Sequence, residues 1–330
     1  MLRYGASGDS LTIDTHRAGR ERATAAFCEA TDTVDITPDE REIGVRTKRY
    51  FDSTLKRRAP WLIKRGRIVV QKGSLSPTSL EDNPGSPPLP ALVAGEIPCD
   101  QIEHEPISPL LASVLLTFKR IEDKLPDFSG RSYDFFRNVW GINNSYHQWS
   151  FEENQHSDAI ALILERTGSM TRDQLVDDYY DNLARTWEPP FRTARRMVLY
   201  AAFQEQLTSL NYHALSRRAA QEGAATVAEV IKLIAHDEAY HGGGYRAFSR
   251  IYAEQDRDGT VADAVHVARN FRMPAQHLMR DQRRNSVEII RVGAFSKEMV
   301  SEETILKVLL GLGFVPEQTA RETADAYWAQ

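Results

Sequence analysis

Glu152-Glu153-Asn154-Gln155-His156 and Asp237-Glu238-Ala239-Tyr240-His241 repeat one pattern, an acidic residue followed by Glu-x-x-His. Carboxylate and imidazole together suit divalent transition metals where no thiolate is offered. On a helix, residues three apart share a face, so Glu153 with His156 and Glu238 with His241 each aim both groups in one direction. Each pair is half of a chelate. A two-iron site in a four-helix bundle is completed when two such helices are joined by two more that bring one glutamate each.

Spacing supplies the missing glutamates. Glu122 stands 31 residues before Glu153, and Glu205 stands 33 before Glu238. Each half of the chain then reads as a helix bearing one Glu, a connection, and a helix bearing Glu-x-x-His. The longer gap from Glu153 to Glu205 leaves room for an extra helix and a crossover. A buried carboxylate is costly unless a cation compensates it, and the neighbours of Glu205 (Leu199, Ala201, Ala202, Phe203) and of Glu153 (Trp149, Phe151) point these groups inward.

Other residues could support such a site. Ligating histidines give their second ring nitrogen to a carboxylate, so Asp237 is paired with His156 and Glu152 with His241 across the pseudo-twofold; solvated acids are the plainer reading. Thr208, three residues after Glu205, shares its face and could hydrogen-bond an oxygen species there, or back-bond its own helix. Trp149, four before Glu153, could pack beside the site, take part in electron flow, or be a core residue. His213 has no partner at ligand spacing, and His236 projects away from the face of Glu238; both are left out.

The elements that must position these residues are helical. Ser108-Pro109 reads as an N-cap and first helical residue, followed by apolar Leu110, Leu111, Val114, Leu115 and Phe118 at helical spacing. Further helices are expected over about 131–166, 171–185, 189–220 and 224–254, then from Asp258 to the Met273-Pro274 break, from Pro274 to Gly293, and as a terminal pair over 301–327. No alternating run of strand quality appears. Upstream, Thr37-Pro38-Asp39-Glu40 reads as the start of a basic helix, and 73–100, with six prolines, reads as an extended connection. The expected division is residues 1–100, a leader with a helix and a Pro-rich connection, and 101–330, a single bundle domain with C-terminal helices.

Composition narrows the classes. The chain has 330 residues, a 42% apolar fraction and a formal charge of −5, which fits a soluble protein with a sizeable core and speaks against nucleic acid as principal partner. Two cysteines, Cys28 and Cys99, are too few for a disulfide framework and suggest a reducing compartment. With no signal-peptide core at the first residues and no apolar run of membrane length, a cytoplasmic protein is expected.

Taken together, Glu152 to Asp158, Phe203-Gln204-Glu205, Asp237 to His241, and Asp258-Gly259-Thr260 with Met273-Pro274-Ala275 resemble the soluble acyl-carrier-protein desaturases over roughly residues 105–315. The resemblance implies an all-α, ferritin-like four-helix bundle with additional packing helices. It also implies an oxo- or hydroxo-bridged two-iron centre held by Glu122, Glu153, His156, Glu205, Glu238 and His241, with Thr208 beside the oxygen site. The implied reaction uses dioxygen and two electrons, usually from ferredoxin and its reductase, to place a cis double bond in an acyl chain carried as a thioester on acyl carrier protein. A homodimer is implied as well.

An acidic carrier calls for a basic docking patch. Arg192 with Arg195 and Arg196, and Arg280 with Arg283 and Arg284, are ranked ahead of Lys56-Arg57-Arg58 with Lys64, Arg65 and Arg67. The chain departs from the family's usual residues at Gln155, Ser157 and Ala239-Tyr240, and Gly242-Gly243-Gly244 follows His241 directly. Each helical Gly costs about 0.8–1 kcal/mol against Ala, so the run predicts close backbone approach, a bend, or room for a bulkier substrate. Trp61 is a candidate for an aromatic on the electron path. Besides desaturation, a two-iron oxygenase that hydroxylates a carrier-bound or free substrate is carried, and so is iron binding without catalysis. A radical-generating subunit is disfavoured because no tyrosine stands out beside a ligand.

Overall fold

The protein, described by a computed structural model over residues 36–51 and 99–329, has only helical regular elements among these described residues. Helix α1 covers 38–51. The helices that matter for the site are α2 (Pro109–Glu122), α3 (Leu125–Phe136), α4 (Trp140–Arg166), α5 (Arg172–Leu183), α6 (Ala194–Gln221) and α7 (Ala225–Gln255). Helices α8 (Arg257–Arg269), α9 (Gln282–Arg291), α10 (Lys297–Val300), α11 (Lys307–Leu312) and α12 (Glu317–Ala326) follow, with a π-helical segment at Ser301–Leu306 joining α10 to α11.

Local chemistry explains the boundaries. The Ser108 hydroxyl accepts from the Leu111 amide and Pro109 occupies the first turn of α2. Its stripe of Leu111, Val114, Leu115, Phe118 and Glu122 is buried. Helix α6 starts at Thr193, which caps the Arg196 amide, rather than near 189. The Glu188-Pro189-Pro190 run disfavours helical backbone before each proline. The helix expected over 131–166 is instead two, because Val139 leaves the helical region at φ −109° and ψ 87°. Just beyond this break, Gly141 meets the Thr47–Lys48 backbone of α1, where a Cβ would collide.

The expected helix from Pro274 to Gly293 is also replaced. Ala275 and Asp281 both take positive φ, splitting the segment into a 3-10 turn at Gln276–Leu278 and α9. By contrast, α7 runs unbroken through Gly242, Gly243 and Gly244, so the predicted bend does not appear as a break in the helix.

Buried apolar side chains fall into two groups, and the division positions the site. Trp149 of α4, Phe203 of α6 and Tyr245 and Phe248 of α7 belong to one, while Ile160, Tyr212 and Ile231 belong to the other. Between them, near the middle of three long helices, lie Glu153 and His156, Glu205, and Glu238 and His241. All are 6% exposed or less. Two apolar plugs therefore enclose one charged layer, to which α2 adds Glu122 near its C-terminus.

Candidate metal centre

Six side chains converge in that layer. Ligand atoms of Glu122, Glu153, His156 and Glu238 all lie within 4.8 Å of one another, and so do those of Glu153, Glu205, Glu238 and His241. Glu153 and Glu238 belong to both sets. The Nδ1 of His156 lies 3.1 Å from Glu153 Oε2 and 3.2 Å from Glu238 Oε1. The Nδ1 of His241 lies 3.1 Å from Glu153 Oε1 and 3.7 Å from Glu238 Oε2. Both imidazoles thus turn the same nitrogen inward, with ring centroids 6.1 Å apart.

The outer nitrogens meet the acids that precede the two Glu-x-x-His motifs. His241 Nε2 hydrogen-bonds Glu152 Oε2 at 2.7 Å, and His156 Nε2 lies 3.6 Å from Asp237 Oδ2. Glu152 is buried, whereas the Asp237 side chain is partly exposed. Trp149 Nε1 donates to Glu205 Oε1 at 2.9 Å, and the Tyr212 hydroxyl donates to Glu122 Oε1. Sequence reasoning missed Tyr212 when it found no tyrosine beside a ligand. The signal was available, because Tyr212 lies seven residues after Glu205, two turns along the same face.

Electrostatics favour a cation here. Burial, with repulsion from Glu153 and Glu238, raises the Glu122 carboxyl well above its ordinary range, and burial with repulsion from Glu238 raises Glu205. For Glu238, burial would also raise the carboxyl, but its pairing with the neighbouring Glu205 carboxyl, which takes the proton of the pair, and the charge of His156 outweigh it and lower the value. Burial alone would lower both imidazoles; the surrounding carboxylates raise them instead, Glu153 first for His156 and Glu152 first for His241. Glu153 Oε1, Glu205 Oε2, both Glu238 oxygens and His241 Nδ1 on the inner side, and His156 Nε2 on the outer side, are buried with no hydrogen-bond partner. Buried polar atoms are rarely left so. Four carboxylates also match the charge of two divalent ions, and the donor set suits iron.

The remaining candidates are placed differently. Thr208 is buried, and its hydroxyl donates to the Gln204 carbonyl at 2.9 Å, the back-bond alternative. Phe151 is exposed rather than directed inward. The docking arginines have acidic neighbours: Arg195 bonds Asp256 and Asp263, Arg196 bonds Asp263, Arg280 bonds Asp181 and Arg284 bonds Glu288. Arg192, 71% exposed at its side chain, has Glu188 at 3.8 Å, and Arg283 is exposed. These pairs offset much of the positive charge a docking patch needs. Trp61 and the basic cluster from Lys56 to Arg67 lie outside the described residues.

The glycine run divides by position. A Cβ on Gly242 would lie 3.3 Å from the Glu205 Cβ, so close approach of α7 to α6 accounts for that residue. A Cβ on Gly243 or Gly244 would meet nothing within 4 Å, and both residues border a cavity of about 290 Å³ that reaches Glu152 and His241. A second, much smaller cavity of about 20 Å³ lies between Trp149, Glu205, Tyr245 and Pro274.

A helical bundle with buried carboxylates and imidazoles in two overlapping sets is of a class of scaffold that could hold two metal ions side by side. Comparison with known proteins narrows the class: the profile of a family described as "Fatty acid desaturase" matches residues 117–298. The chain belongs to this family. It is 33% identical over 139 residues to the palmitoyl-[acyl-carrier-protein] 4-desaturase 3 of Ophrys sphegodes, covering 41% of this chain and 34% of that protein. Against the stearoyl-[acyl-carrier-protein] 9-desaturase of Solanum commersonii it is 32% identical over 139 residues, with 41% and 35% covered. Against the enzyme of that name from Helianthus annuus it is 28% identical over 179 residues, with 52% and 44% covered. All three are named as chloroplastic. The match therefore spans less than half the length of these relatives. Among the described residues, no helix is long and apolar enough to cross a membrane.

Proposed function

We propose that the protein is a dioxygen-dependent two-iron oxidoreductase that introduces a cis double bond into an acyl chain carried on acyl carrier protein. The observation that carries this reading is the pair of overlapping carboxylate–imidazole sets with unpartnered atoms facing inward. Membership of the desaturase family supports it, as do the relatives' names, which specify acyl-carrier-protein substrates.

In this reading Glu122, Glu153, His156 and Glu238 would hold one iron, and Glu153, Glu205, Glu238 and His241 would hold the other. The bound irons would supply the redox chemistry that couples dioxygen to C–H removal. The chain's own residues set the conditions. Glu152 and Asp237 fix which nitrogen of each imidazole faces inward. Trp149 and Tyr212 orient Glu205 and Glu122 by donating to one oxygen of each, and the second oxygen of Glu205 has no hydrogen-bond partner. The apolar groups on either side keep bulk water from the layer. Thr208 is assigned to the oxygen side of the site, its donor at rest on the Gln204 carbonyl.

Two electrons per turnover come from ferredoxin and its reductase, and the carrier docks through Arg192 or Arg283, the candidate arginines whose charge close acids offset least. The reading includes a cytoplasmic homodimer. Mass spectrometry of acyl-carrier-protein thioesters, after incubation with iron-loaded protein, dioxygen and the ferredoxin system, tests the activity. Loss of two hydrogens is expected. Gain of one oxygen atom would replace desaturation by hydroxylation, and no change in any acyl substrate with no substrate-dependent oxygen use would remove both.

A further inference from the structure

A continuous line of oxidisable side chains leads from the site to solvent. Trp149, whose Nε1 donates to Glu205 Oε1, is stacked on Tyr146 with ring centroids 4.6 Å apart and planes at 19°. Tyr146 meets Tyr133 edge-on at 5.3 Å. The Tyr133 hydroxyl hydrogen-bonds His147 Nδ1 at 2.9 Å, and those two rings lie 4.8 Å apart. Trp149 and Tyr146 are buried, Tyr133 is half-buried and His147 is exposed. Electron transfer weakens steeply with distance, so rings in contact make each step short.

The hydrogen bonds give this line a direction. Tyrosine loses its phenolic proton when it gives up an electron, and so needs a base to receive it. Tyr146 has none: its hydroxyl donates to the Phe128 carbonyl at 2.7 Å, and burial raises the phenol far above its ordinary pKa. Tyr133 has one in the imidazole of His147, whose charged form would face solvent. An oxidising equivalent that enters at Trp149 therefore passes Tyr146 and comes to rest at Tyr133.

We propose that Trp149, Tyr146, Tyr133 and His147 form a relay that drains an oxidising equivalent from the metal pair when no acyl chain is present to consume it. The relay rests on the two-iron reading. In each event one electron moves from Tyr133 inward to the oxidised metal pair, and the Tyr133 Oη proton moves to His147 Nδ1. The neutral Tyr133 radical is then reduced by a one-electron donor in solution, such as a thiol, and His147 returns the proton. This spares the buried ligands from oxidation. Tyr212 also touches the site through Glu122, but its ring partner is Phe118 at 5.3 Å, which is not readily oxidised. It is a pocketed tyrosine with no comparable exit among the described residues.

The test begins with metal analysis of the iron-loaded full chain. Absence of two irons would defeat the functional reading itself. In protein that holds two irons and consumes dioxygen, reduction followed by exposure to oxygen without acyl substrate, then rapid freezing, is read by electron paramagnetic resonance. A tyrosyl radical is expected that is lost in Tyr133→Phe, weakened in Trp149→Phe and His147→Gln, and retained in Tyr180→Phe, an exposed tyrosine outside the relay. Tyr133→Phe should also shorten the working life of the protein and increase oxidation at buried residues, measured by peptide mass spectrometry. Absence of any radical in the loaded parent protein, or persistence of the same signal in Tyr133→Phe, would overturn the relay.

Discussion

The two halves of the carboxylate–imidazole layer match in the atoms they turn inward and differ in what stands behind them. His241 is backed by buried Glu152 at 2.7 Å, His156 by partly exposed Asp237 at 3.6 Å. Glu205 accepts from an indole that leads through stacked rings to the surface, whereas Glu122 accepts from a tyrosine enclosed by the apolar core. Helix α7 beyond His241 carries three glycines, and α4 beyond His156 carries Ser157, bonded to Asp123. A duplicated chelate can thus be served by unlike surroundings: one half has a short buried hydrogen bond and a ring stack leading outward, the other a longer contact to partly exposed Asp237.

Removing shared ligands gives the largest effect. Glu153→Ala and Glu238→Ala should each abolish loading of both irons, while Glu122→Ala and Glu205→Ala should each remove one position, as read by iron per chain. Equal loss from all four variants would break the distinction between shared and terminal carboxylates.

Outer partners come next. Loss of such a partner typically lowers metal affinity about 10–100-fold. Glu152→Gln should fall nearer the upper end and Asp237→Asn nearer the lower, because only the first is buried and in short contact. Competitive chelator titration ranks them, and the reverse order would contradict the asymmetry.

Stripping the metal should expose the repulsion it relieves. Glu122 and Glu205 have folded-state pKa values raised above 4.5, so the folded state holds protons that the unfolded state releases. The raised imidazoles act in the same direction. Stability from the two carboxyls is therefore present at low pH and lost as pH rises above about 4.5, and that from the two imidazoles is lost only as pH rises above about 6.5. Glu238, with a lowered value, contributes a constant amount in that window. Chelator-treated protein should lose melting temperature with rising pH from that point, and iron-loaded protein should not; parallel pH profiles would contradict this.

Smaller effects separate the donors and the glycines. Trp149→Phe removes the donor to Glu205 and should cost about 1–3 kcal/mol in urea unfolding of the metal-free chain. Gly244→Ala, with open space around the added methyl, should stabilise α7 by up to about 1 kcal/mol. Gly242→Ala, against the Glu205 Cβ, should destabilise it and weaken iron binding. Stabilisation by both alanines would remove close approach as the reason for the first glycine.

Much of this comparison was legible in the sequence because helical periodicity is a local property. Glu-x-x-His fixes one face without knowledge of the partner helix, and the matched upstream glutamates follow from the length of a helix pair. Ser108 and Pro109 likewise announce their own helix start. What escaped depends on contacts distant in sequence. Spacing from Glu205 puts Tyr212 on the site's face but does not say that its hydroxyl meets Glu122, 90 residues away, and nothing near Arg195 says that Asp256 and Asp263 take up its charge. The break at Val139 reflects a crossing with α1 at Gly141, and the left-handed residues at Ala275 and Asp281 carry no glycine to signal them.

The central claim is that six side chains hold a coupled pair of irons in one buried layer. Mössbauer spectroscopy of protein loaded with ⁵⁷Fe, alongside iron quantification, tests it most directly. The expected result is two irons per chain, magnetically coupled when oxidised, and loss of the coupled signal in Glu238→Ala. A single uncoupled iron per chain, or an unchanged coupled pair in that variant, would contradict it.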